Sequence, residues 1–125
     1  MLTDEQIEYG KKNVKYSLKE GGHHENNDCI RMAYEWLDAQ KKIKNKMTKA
    51  YPLKHIIEKW ADRYVSTTDV DVAAFLHPEI HGKYPYFNIS TRLTQPSDLR
   101  LSGIPEAFTQ GYRDRFDTSV YSIHE

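Results

Sequence analysis

TTDVDVAAFLHPEIHGKYPYFNISTRL, residues 67–93, reads as two short helices joined by a turn. Thr67 or Thr68 caps the first helix, and Asp69 and Asp71 suit the positive end of its dipole. Val70, Ala73 and Ala74 face inward, with Phe75 or Leu76 beside them. The paired alanines let a neighbouring helix come close. Pro78 stops this helix near Leu76 or His77. Gly82 lies in the turn, and Pro85 opens a second helix with Tyr86, Ile89 and Leu93 along one side. Asn88, Thr91 and Arg92 fall on the other side, and Pro96 ends the helix.

That order matches the architecture of a divergent helix-turn-helix. A recognition helix must bury one side and present short polar groups and cations to base edges. Asn88, Thr91 and Arg92 are the expected base contacts, while Lys83, Tyr84, Ser90 and Arg100 are expected to hold phosphates. The turn from Leu76 to Pro85 is longer than the usual three or four residues of the motif. DLRLSG alternates in polarity, which predicts a short β element near 98–102 and makes the unit resemble a winged form.

Working toward the N-terminus, LKHIIEKWADRY places Leu53, Ile56, Ile57, Trp60 and Tyr64 on one helical stripe, with Pro52 in the first turn. ENNDCIRMAYEWLDAQKKIK is the most strongly patterned helix: Ile30, Ala33, Tyr34 and Leu37 share a face, and Asn26 or Asn27 caps it. Its lysines gather at the C-terminal end and run on into KNKMTKAY. Residues 3–19 form the first helix, with Thr3 and Gln6 as a capping box and Gly21-Gly22 as its stop. At the other end, IPEAF suggests one helical turn. YRDRFDTSVYSIHE has aromatics but no period, which predicts a loosely packed tail.

The fold class is therefore mainly α: a compact bundle of four to five helices. One domain spans 1–125, divided into an N-terminal helical pair (1–50), a helix-turn-helix-like unit (51–105) and a tail (106–125). Aromatic content of 12% excludes a disordered chain, and no apolar run approaches the ~20 residues of a membrane span. The polar, acidic start does not read as a secretory signal, so a cytoplasmic location is expected.

Net charge is zero, but residues 41–63 carry eight basic and two acidic side chains, between two mildly acidic regions. Lys41, Lys42, Lys44 and Lys46 are accordingly expected to hold a nucleic-acid backbone. Lysine gives point charge without base geometry, so this run alone would be sequence-blind.

No signature of catalysis is present. The sequence has no G-x-S-x-G, no G-x-x-x-x-G-K and no G-x-G-x-x-G. His23, His24, Glu25 and Asp28 lack the spacing of a metal site and read as a polar loop and cap. Cys29, the only cysteine, sits on an apolar stripe as a structural thiol. Neither enzyme activity nor a cofactor is expected. The leading reading is a small nucleic-acid-binding accessory or regulatory protein acting on duplex DNA. The alternative is a protein-binding adaptor or inhibitor anchored by Tyr84, Tyr86 and Phe87. A homodimer is compatible with either.

Overall fold

Helix α4 (Thr67–Leu76) is the centre of the molecule in a computed structural model that describes residues 1–17 and 22–125. Every residue from Thr68 to Ala74 is buried, on all sides of the helix. A helix wrapped in protein this way must satisfy its polar side chains internally. Its N-cap is Ser66 rather than Thr67 or Thr68. Ser66 Oγ accepts from Asp69 N–H, and the Asp69 carboxylate accepts from Ser66 N–H in return. The helix ends at His77, directly before Pro78 as expected.

Two helices flank α4. Helix α1 (Asp4–Asn13) starts with the predicted Thr3–Gln6 capping box. It stops at Val14, which is extended, and so is shorter than the 3–19 expected. Part of the predicted Gly21-Gly22 stop lies outside the described residues. Gly10 is buried where α1 crosses α4: a Cβ there would lie 2.8 Å from Val72 Cγ1. Helix α2 (Asn27–Asp38) is capped by Asn26 and packs against α4 through a core that includes Ile30, Ala33, Trp36 and Leu37. Helix α3 (Leu53–Ala61) follows Pro52 and buries Leu53, Ile57 and Trp60.

The expected fifth helix, from Pro85 to Leu93, is absent. In its place strands β1 (Gly82–Lys83) and β2 (Tyr86–Phe87) pair antiparallel around a two-residue loop, Tyr84–Pro85, with a cis peptide bond. From Asn88 to Leu93, where the helix was expected, the backbone is not helical. Met47 N–H donates to Phe87 O at 2.9 Å, Ile43 N–H to Asn88 O at 2.9 Å, and Ser90 N–H to Lys41 O at 2.8 Å. This lateral ladder replaces the i to i−4 pattern. The aromatic and β-branched run YFNI fits such a ladder better than a helix interior. Of the two helices expected in residues 67–93, only α4 forms, and a hairpin follows it.

The β element also lies elsewhere than expected. Residues Asp98–Leu101 form a 3₁₀ turn, and strand β3 (Thr94–Gln95) precedes it. β3 pairs in parallel with β4 (Ile123–His124) at the C-terminal end. IPEAF makes turns rather than a helix. The predicted loose tail is pinned instead: Trp36 Nε1–H donates to the Tyr121 hydroxyl at 2.9 Å, and Arg113 donates to Trp60 O at 2.7 Å. The described core runs as one cluster from Ile7 to Tyr121. No helix among the described residues is long and apolar enough to cross a membrane.

Removing the Tyr121 hydroxyl strands a fully buried indole N–H. Tyr121→Phe is expected to lower the unfolding free energy by about 1–3 kcal/mol, read from urea denaturation.

Candidate functional site

Helix α2 stops at Asp38, so the lysine run that follows is not a helix end. Gln40 explains why the chain turns there. Its carboxamide is buried, donating to Trp36 O at 3.0 Å and Thr94 O at 2.8 Å while accepting from Thr94 N–H at 2.9 Å. Lys42 then folds back: its Nζ donates to Asp38 O at 2.6 Å, at the negative end of α2. Lys41, Lys44 and Lys46 are exposed. Lys49 sits 4.5 Å over the Tyr51 ring, and the Tyr51 hydroxyl donates to Thr91 O.

The lysine segment and the segment after β1 are therefore stitched side by side. Neither contains an acid: residues 39–57 and 80–97 have no Asp or Glu, and all eighteen acidic side chains lie outside them. The ladder thus joins Lys41, Lys44, Lys46 and Lys49 to the segment carrying Lys83 and Arg92. All six side chains are exposed, and among the described residues none has a carboxylate within 4.0 Å. A chain of zero net charge has sorted its charges so that one ribbon is wholly basic.

Several expected contacts have other work in this fold. Asn88 is 3% exposed and cannot face a base. Its Oδ1 accepts from His81 N–H at 2.7 Å, and its Nδ2 donates to Glu79 O at 2.9 Å and Ile43 O at 3.3 Å. It is the clamp that holds the lysine segment to the hairpin. Thr91 and Arg92 are exposed as expected, but on a loop rather than a helix. Arg100 is occupied: Glu35, Asp38 and Glu125 all accept from its guanidinium, at 3.0, 2.9 and 2.6 Å. Phe87 is 2% exposed and belongs to the core. Tyr84 is half-buried with its hydroxyl accepting from Lys54 N–H, so of the three aromatic anchors only Tyr86 is well exposed.

A second feature escaped the sequence reading. Behind β1, between α1 and α4, lies a cavity of about 520 Å³. Asp71 lines it and is 6% exposed. Its Oδ2 accepts from Ser17 N–H at 3.1 Å and Ser17 Oγ–H at 2.9 Å. Burial raises the Asp71 carboxyl above its usual range, against the opposing pull of Ser17, Lys83 and His24. Read as a dipole partner, Asp71 looked ordinary. Only the packing of α1 and the hairpin encloses it.

Beside it, His24 Nδ1 lies 2.7 Å from the Asp69 carboxylate, and its Nε2 lies 2.7 Å from the Tyr16 hydroxyl. The chain Asp69–His24–Tyr16 resembles a catalytic relay in outline. Burial and the two aspartates hold the Tyr16 phenol above its ordinary range, which disfavours the phenolate a nucleophile would need. The relay ties the loop at residue 24 to α4. His23 pairs with Glu25, and Asp28 with Arg31, so these residues too have protein partners. Cys29 is fully buried, with its thiol pushed up to about 12 by burial, and donates to Tyr64 O.

No family model, no curated protein and no solved structure matches this chain.

The raised Asp71 carboxyl fixes a sign. Between the unfolded value near 3.8 and the higher folded value, the folded state holds more protons, so Asp71 lowers stability as pH rises through that window. Asp71→Asn removes this penalty. Urea unfolding from pH 3.5 to 7 is expected to show the variant gaining on the parent protein as pH rises, then levelling off.

Proposed function

We propose that this protein binds the phosphate backbone of nucleic acid through the basic ribbon formed by residues 41–49 and the hairpin segment 83–92. The observation that carries the reading is the hydrogen-bonded pairing of two acid-free segments with six exposed cations, none with a carboxylate of the described residues within 4.0 Å. Lysines dominate, so the contacts are point charges on phosphates and read no sequence. Without a helix to enter the major groove, a single strand is the better ligand than a duplex. Tyr86, half-exposed at the hairpin, and Tyr51 beside Lys49 offer rings on which bases stack. The role that follows is accessory: holding or covering a strand rather than cutting or copying it.

The adaptor reading is supported by a different surface. Phe75 and Tyr9 are exposed on α4 and α1 with ring centroids 6.3 Å apart, and Tyr86 is exposed on the hairpin. Large exposed aromatics of this kind serve protein interfaces.

Fluorescence anisotropy with a short labelled oligonucleotide separates the two readings. With about five phosphate contacts, single-strand affinity is expected to fall about a hundredfold between about 50 and 200 mM salt. Replacing Lys44 and Lys46 with Ala should reduce the salt slope by about 0.7 for each lysine and weaken all sequences alike. Absent or salt-independent binding, with a nuclease-resistant protein retained in pull-down and released by Tyr86→Ala, would replace the strand reading with the adaptor.

A further inference from the structure

The cavity between α1, α4 and the hairpin has a polarity that restricts its occupant. Its walls are apolar and aromatic: Val14, Phe75, Ile80, Phe87 and the ring of Tyr84. The Tyr84 ring is fixed, because its hydroxyl accepts from Lys54 N–H at 3.1 Å and its edge meets Phe87 with centroids 6.1 Å apart. One deeply buried carboxylate, Asp71, lines the interior. Among the described residues its hydrogen-bond partner is Ser17, whose backbone and hydroxyl both donate to Oδ2. The remaining polar lining includes three exposed nitrogen bases, Lys15, His81 and Lys83.

These features exclude simple ligands. A bare amine would suit Asp71 but must pass the lysines. A bare anion would suit the lysines but meet a buried carboxylate. A flat uncharged body with N–H donors at one end and a phosphate at the other satisfies both, and the aromatic walls suit its faces.

We propose that this cavity binds a nucleotide unit, its base between the aromatic walls with the donor edge on Asp71 and its phosphate at Lys15 and Lys83. Guanine is the preferred base. It offers N1–H and N2–H side by side to an acceptor-only carboxylate, whereas uracil flanks its one N–H with two carbonyls that oppose the carboxylate. The cavity volume of about 520 Å³ leaves room for a whole nucleotide. Lys83 lies in the acid-free ribbon as well as in the cavity lining, so a base seated here continues the path of a strand on the ribbon. The choice of ligand class rests on the proposed strand-binding function, while the site itself rests on the cavity and Asp71.

Calorimetric titration of the full chain tests this with guanosine 5′-monophosphate, uridine 5′-monophosphate, guanosine, inorganic phosphate and benzylamine. The guanine nucleotide should bind about tenfold more tightly than the uracil nucleotide. Guanosine should bind more weakly than its monophosphate, with a gap that closes as salt rises. Asp71→Asn should abolish the preference for guanine, and Phe75→Ala, at an exposed position, should weaken both nucleotides about fivefold or more.

Lys44→Ala with Lys46→Ala should leave mononucleotide binding unchanged while weakening oligonucleotides, which separates the cavity from the ribbon. Oligonucleotides with and without a 5′-terminal guanine then distinguish a strand end from a free nucleotide as the source. No guanine nucleotide binding at about 5 mM overturns the proposal. So does binding that Asp71→Asn leaves unchanged, or binding of benzylamine in preference to either nucleotide. Mononucleotide binding without oligonucleotide binding supports the cavity and rejects the ribbon.

Discussion

The burial of two carboxylates on α4 is the constraint around which the molecule is built. A charged group taken from water costs several kcal/mol unless partners replace the lost hydration. Asp69 has its partners locally and across the fold: Ser66 N–H from the cap, and the His24 imidazole from the preceding loop. Asp71 has Ser17 alone among the described hydrogen bonds, and its carboxyl is accordingly raised. Ser17 and His24, on either side of the α1–α2 connection, are therefore held against the first half of α4. His23 adds to this: its backbone carbonyl accepts from both Ser66 and Thr68 hydroxyls. Helix α1 crosses α4 at Gly10, and its C-terminal end at Asn13 lines the cavity beside Asp71.

The other organising group is a neutral carboxamide. Asn88 bridges the backbone of residues 79–81 to Ile43, and Gln40 does the same between α2 and β3. Both side chains take the place of missing strand partners. Segments too short to form a stable sheet alone are held by these bonds. The result brings together two stretches far apart in sequence that share one compositional property, the absence of acids.

Much of the helical frame was legible in the sequence. The Thr3–Gln6 box, the Asn26 cap, the stripe of Leu53, Ile57 and Trp60, and the stop before Pro78 are local signals, and each holds in the structure. What failed was non-local. Tyr86, Ile89 and Leu93 fit a helical stripe, yet the alternative ladder partner for that segment lies over forty residues upstream, in Lys41–Met47. A periodicity test within one window does not see such a partner. Asn88 looked like a surface group because asparagine usually is one. The basic segment was visible as composition, but its pairing with residues 83–92 was not. The cavity had no local signature, since its lining comes from α1, α4 and the hairpin.

Cys29 gives the molecule a built-in reporter. The thiol is shielded from solvent, and its elevated pKa leaves almost no thiolate at neutral pH. It is also the chain's only sulfhydryl, seated on α2 where that helix nears Tyr64. A water-soluble alkylating reagent therefore has nothing to attack until the helix bundle comes apart. Its incorporation rate would time that opening directly, one molecule and one label at a time.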